Sequence, residues 1–167
     1  LHPAKTRLLQ FGRYAQERRA KNGKGKPETF DFLGFTHYCS RAIKNGWFKV
    51  VRKTVARRMR VQLQEVKTEL RRRLHRPLPE TGRWLGQIIR GHMAYYAVPD
   101  NIGSVSSFVY HVRWLWYRAL CRRSQRRRMN WTRFNKICER FFPPVRIMHP
   151  QPLHRFDAKT RERSPVR

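Results

Sequence analysis

From Arg52 onward the apolar residues of this chain stop alternating and recur on a helical period. Val55, Met59, Leu63, Val66, Leu70 and Leu74 are spaced 4, 4, 3, 4 and 4 residues apart, so all six fall on one stripe of an α-helix. An amphipathic helix draws most of its stability from covering that stripe with other elements. The chain supplies the cover. Pro77 and Pro79 are expected to end the first helix. Gly82–Ala97 then repeats the period with Trp84, Leu85, Ile88, Ile89, Met93 and Tyr96, and Pro99 closes it. Ser104–Arg123 reads as a third helix with Ser104 as N-cap. Asn130 caps a fourth, Trp131–Phe142, with Phe134, Ile137, Cys138 and Phe141 inward and Pro143-Pro144 as its stop.

Before Arg52 the signals are those of strands. Residues 5–12, KTRLLQFG, suggest a short strand, and the Lys/Gly-rich stretch Ala15–Pro27 a loop. Thr29–Tyr38 places Phe30, Phe32 and Leu33 in a strand with Gly34 inside it, where a glycine suggests a bulge or a close backbone approach. Asn45-Gly46 is a turn signal, followed by Trp47, Phe48, Val50 and Val51. A β-hairpin of Thr29–Cys39 with Trp47–Val51 follows. The expected fold class is α+β and mainly α, a small β element followed by a bundle of about four helices. The expected divisions are residues 1–51, 52–156 and a tail, 157–167. The chain opens at Leu1 without Met and reads like the middle of a domain, which suggests a truncated or split reading frame.

Charge narrows the partner class. The 167 residues hold 39 Lys+Arg against 10 Asp+Glu, a formal charge of +29. Such a chain repels itself unless a polyanion compensates. Aromatic residues make up 13% of it, too many for a disordered basic tail, and arginines alternate with Trp, Tyr and Phe. Cations beside aromatic planes are the chemistry of RNA and single-stranded nucleic-acid binding. Three cysteines, Cys39, Cys121 and Cys138, form no CxxC pair, which suits a reducing compartment and a cytoplasmic location. No apolar run approaches the ~20 residues of a membrane span, and no membrane partner is expected.

The basic residues are ordered. Lys53, Arg57, Arg60, Lys67 and Arg71 form one line along the first helix, about 110° from the apolar stripe on a helical wheel. Glu65 and Glu69 lie on the other flank, where Glu69 can pair with Arg72 or Arg73. The line is either an RNA-binding surface or a solvated face. On the third helix Phe108, Val109, Val112, Leu115, Trp116 and Ala119 make a core face, and Tyr110, Trp114, Tyr117 and Cys121 a second one. Either that helix is central in its domain, or Trp114 and Tyr117 stack on bases beside Arg113 and Arg118. The run Arg122, Arg123, Arg126, Arg127 and Arg128 is a candidate for phosphate contact. Arg90 belongs to the same RNA-binding set, and Tyr96, in the patch His92, Tyr95, Tyr96, is a further candidate for base stacking or for core packing.

Catalytic signatures are not found. No two adjacent carboxylates occur on a strand or turn, so no two-metal phosphoryl-transfer centre is written in these residues. P-loop, GxSxG and HExxH motifs are absent, and the seven histidines show no metal-ligand spacing with Cys. No metal site and no catalytic residue are expected.

Five blocks in order carry a family resemblance: LHPAKTR (Leu1–Arg7), FDFLGFTHY (Phe30–Tyr38), WLGQIIRGHMAYYAVP (Trp84–Pro99), WLWYRALCRRSQRRRMNWTRF (Trp114–Phe134) and FFPPVRIMHPQP (Phe141–Pro152). From about Leu1 to Asp157 the chain resembles the C-terminal portion of group II intron reverse transcriptase/maturases. The resemblance implies that the first two blocks close a polymerase palm, with Phe32, Leu33, Gly34 and Phe35 as the remnant of its hairpin. It implies that the helices form the thumb, or maturase-specific domain X, which binds intron RNA for splicing and grips template–primer. The family's YADD-type metal motif does not occur here, so Mg²⁺ would belong to a missing palm and this chain would hold no cofactor and polymerise nothing alone.

Three functions are thus expected in competition. One is an RNA-binding maturase/thumb domain without its own catalysis. A second is a subunit completing a split reverse transcriptase with a separate palm polypeptide. The third is a non-specific basic nucleic-acid-binding remnant.

Overall fold

A computed structural model describes residues 6–43, 46–123 and 129–149. The fold is α+β and mainly helical. Its elements are α1 (Ala15–Lys21), β1 (Phe30–Phe32), β2 (Phe35–Arg41), β3 (Phe48–Thr54), α2 (Ala56–Arg72), α3 (Leu78–Tyr96), α4 (Ile102–Arg123) and α5 (Trp131–Phe141). The chain divides into two compact units after Val55. The expected tail, 157–167, lies outside the described residues, as does Asn45 of the expected turn.

In the first unit β1, β2 and β3 form an antiparallel sheet in that order. The single strand expected around Gly34 is two strands. Phe32 pairs with Phe35, and the two residues between them have φ of 47° at Leu33 and 81° at Gly34. Positive φ at both central positions is the signature of a two-residue hairpin turn, so Gly34 turns the chain rather than bulging it. The strand expected at residues 5–12 does not form among its described residues. Its polar groups are spent elsewhere: the Gln10 N–H and the Arg7 guanidinium both donate to the Glu28 carboxylate, each at 2.8 Å. The loop expected over Ala15–Pro27 contains α1. Its sequence AQERRAK is built of helix formers, and the glycines that suggested a loop, Gly23 and Gly25, come after its end.

β3 runs through Thr54, three residues beyond the expected division. Thr36 pairs with Lys53 and Phe35 with Thr54, so pairing with β2 outlasts the first helical signal at Arg52; Val51 and Thr54, three apart and therefore on opposite faces of the strand, are both buried.

In the second unit α2 packs on α4, and α3 packs on α4 and α5. Val66 and Leu70 of the α2 stripe are buried, and Met59 and Leu63 pack against the same core. Trp116 is central: its ring meets Phe134 edge-on at 5.7 Å and stacks on Phe142 at 5.5 Å. Gly82 and Gly86 let α5 approach α3. A Cβ on Gly86 would lie 2.4 Å from the Phe141 carbonyl oxygen, and one on Gly82 would lie 2.6 Å from the Phe141 ring.

Two boundaries differ from expectation. Pro79 does not end α2 but sits in the first turn of α3, where a missing N–H costs nothing. Ser104 is not the cap of α4. The Asn101 carbonyl accepts from Ser104 N and Val105 N, and the Asn101 side chain donates back to the Tyr96 carbonyl at 2.8 Å. The Asn130 cap of α5 is as expected, its side chain accepting from Arg133 N at 2.9 Å. Residues 143–149 then lie along the end of α3, with Met148 N donating to the Ala97 carbonyl at 2.9 Å.

Candidate nucleic-acid interface

On a helix, residues four apart stand one above another. Lys67 and Arg71 form such a row on α2, and Trp114, Arg118 and Arg122 form another on α4. Packing of α2 on α4 turns the two rows into opposite banks of one groove of about 230 Å³. Its floor is hydrocarbon, from Leu70, Leu74, Leu115 and Ala119. Lys67, Arg71, Arg118 and Arg122 are exposed, and among the described residues none of the four makes an ion pair. Trp114 is 39% exposed, and the Arg118 guanidinium lies 4.6 Å over its ring.

The other flank of α2 is occupied. Glu69 binds Arg73 at 2.7 Å and Arg72 at 3.7 Å, and Glu80 reaches Arg76 at 3.4 Å and Arg73 at 3.8 Å. Arg73 also lies over Trp84 at 4.8 Å. Exposed pairs of this kind contribute little stability, but they cancel charge. The cations facing the groove keep theirs.

The remaining candidates divide. Arg57 and Arg60 are exposed on the first turns of α2 but line no part of the groove, and Arg60 Nε donates to the Ala56 carbonyl at 3.4 Å. Lys53 is not on the helix at all; it is an exposed residue of β3, because the strand continues to Thr54. Arg90 is exposed on α3. Arg113 is half-buried and donates to Asn135 Oδ1 at 2.8 Å, joining α4 to α5. Arg123 donates to the Arg76 carbonyl at 2.8 Å and fastens the turn after α2. Arg126, Arg127 and Arg128 lie outside the described residues.

Of the three aromatic candidates, only Trp114 faces the groove. Tyr117 is a packing residue: it stacks on Trp131 at 4.2 Å and 12°, and its hydroxyl donates to the Met129 carbonyl at 2.9 Å. Tyr96 is half-buried against His92 at 4.6 Å and Tyr95 at 4.8 Å. His92 is itself a core residue, stacked on Phe108 at 3.7 Å, with Nδ1 2.9 Å from Gln62 Oε1. Burial lowers its pKa to about 4. Burial likewise raises the Cys138 thiol to about 11, so neither is an ionised group near neutral pH.

No family model, curated protein or solved structure matches the chain.

Sequence reasoning missed the groove floor. Leu74, Leu115 and Ala119 read as core, and the one available signal was the small Ala119 one turn after the large Leu115. It also missed a concavity of about 390 Å³ in the first unit, lined in part by Arg13, Tyr14, Arg41 and Trp47. Glu17 shares that lining, which makes it a poorer anion site than the groove. Among the described residues no three of His, Cys, Asp and Glu converge on a common point. No described helix is long and apolar enough to cross a membrane.

Proposed function

We propose that this chain is an RNA-binding module of the group II intron maturase type, with the helical unit acting as the thumb, or domain X. The observation that carries the proposal is the pair of unneutralised cation rows facing each other across the α2–α4 groove, with Trp114 at the head of the α4 row. Exposed Lys and Arg side chains hold phosphates, and an accessible indole offers a stacking face. The ordered sequence blocks supply the choice of RNA. Polymerisation and its Mg²⁺ are assigned to a palm carrying the metal motif that these 167 residues lack, and the working compartment is the cytoplasm.

The test is binding of the purified chain to a group II intron RNA, competed with excess tRNA and duplex DNA at about physiological salt. Retention on the intron supports the proposal. Loss to any polyanion leaves a general basic nucleic-acid binder.

A second function has one observation in its favour. Phe32 and Leu33, at the tip of the β1–β2 hairpin, are 60% and 65% exposed. An apolar tip of this kind suits docking on a separate palm polypeptide, although Phe35 of the same motif is buried at 8% and offers nothing to a partner. Co-purification with such a polypeptide, abolished by Phe32→Ser with Leu33→Ser, is its test.

A further inference from the structure

A surface built only to hold phosphate has no use for a hydrocarbon floor. The α2–α4 groove has charge at its rim and Leu70, Leu74, Leu115 and Ala119 beneath. A phosphate on that floor would lose hydration without gaining a partner. A nucleotide matches both levels, since its base is a flat, largely apolar plane and its phosphates are anionic.

The state of that nucleotide follows from access. In a duplex the phosphates are outermost and the bases are stacked inside, so no base reaches a concave floor unless it leaves the stack. At about 230 Å³ the groove is also smaller than the roughly 300–1,000 Å³ of sites for larger ligands. It has room for one ring system and not for a helix. Trp114 stands at its edge, 39% exposed and backed by the Arg118 guanidinium. A backed indole is a pre-set stacking face that loses little freedom on binding.

We infer that the groove is a receptor for a single unpaired nucleotide of a folded RNA, with the base on the apolar floor against Trp114 and its flanking phosphates on Lys67 and Arg71 and on Arg118 and Arg122. The inference rests on the RNA-binding function proposed above and adds to it the structural state of the ligand: a bulged or extruded residue, not continuous duplex.

The experiment compares three RNA hairpins with the whole chain at one salt concentration: fully paired, with one bulged adenosine, and with an abasic nucleotide at the same bulge. The bulged adenosine should bind about tenfold more tightly than the other two, a factor within the range of one base–aromatic stack. Trp114→Ala should abolish that preference, so that all three hairpins bind alike, and Trp114→Phe should keep most of it. Equal binding of all three RNAs by the native chain overturns the inference and leaves RNA binding itself standing. Equal preference for the adenosine and abasic bulges also overturns it, because bending and not the base is then recognised. Failure to bind any of the three removes both the inference and the function on which it rests.

Discussion

Arg118 lies with its guanidinium 4.6 Å over the ring of Trp114, one turn earlier on α4. The cation and the indole form one unit: the ring is held in place and the charge is carried to the groove edge. Lysine keeps the charge but lacks the flat group that stacks and forks onto phosphate. Arg118→Lys should therefore weaken RNA binding by about two- to tenfold, the factor for one hydrogen bond lost to phosphate, and leave its salt dependence unchanged. Filter binding across a salt series separates the two effects. A flattened salt slope in this variant would contradict the assignment.

The two flanks of α2 give a paired test. Lys67→Gln, Arg71→Gln and Arg122→Gln together remove three groove cations. The slope of log K against log salt should become shallower by about 2–3, and affinity should fall about tenfold or more. Arg72→Gln with Arg76→Gln removes charges already held by Glu69 and Glu80 and should change the slope by less than about 1. Equal effects from the two sets would show that position on the helix does not matter.

Two glycines of α3 should respond oppositely to alanine. At Gly86 the new Cβ would meet the Phe141 carbonyl oxygen at 2.4 Å, a backbone atom that cannot turn aside. Gly86→Ala should cost about 1–3 kcal/mol in urea denaturation, as overpacking does. At Gly91 nothing lies within 4 Å of that position. Gly91→Ala should stabilise by about 0.5–1 kcal/mol through helix propensity alone.

His92 makes stability depend on pH. Its pKa falls from 6.5 to about 4 in the fold because burial opposes its charge. Below pH 6.5 the unfolded chain takes up a proton that the folded chain refuses, so stability declines as pH falls from about 6.5 to about 4 and levels off below. The loss attached to this group is on the order of 3 kcal/mol. His92→Phe keeps the stack on Phe108 and should flatten the profile over that window. An unchanged profile in chemical denaturation would place the dependence on other groups.

Much of the helical unit is written in single-residue periods. Val66, Leu70, Leu85, Ile89, Val112 and Phe134 are buried where the spacing puts them, and Asn130 caps α5 as its type suggests. What failed was local choice between two valid signals. Lys53 continues both a basic helical line and an alternating strand, and the pairing with β2 decides for the strand. Pro79 can stop one helix or start the next, and α3 claims it. Tyr117 has the spacing of a surface stripe, but α5 brings Trp131 onto it. The groove lay half in view. Each row of cations can be read along its own helix, but their meeting depends on α2 packing against α4, which no spacing within either helix states.

The sequestered flank of α2 has a kinetic consequence. With Glu69 and Glu80 tied to Arg72, Arg73 and Arg76, positive potential around this helix is weighted toward the side that carries Lys67 and Arg71. Field strength falls on the flank whose cations are held and persists on the other. Phosphates that come near α2 should be drawn to its Lys67–Arg71 side ahead of the flank that Glu69 and Glu80 hold.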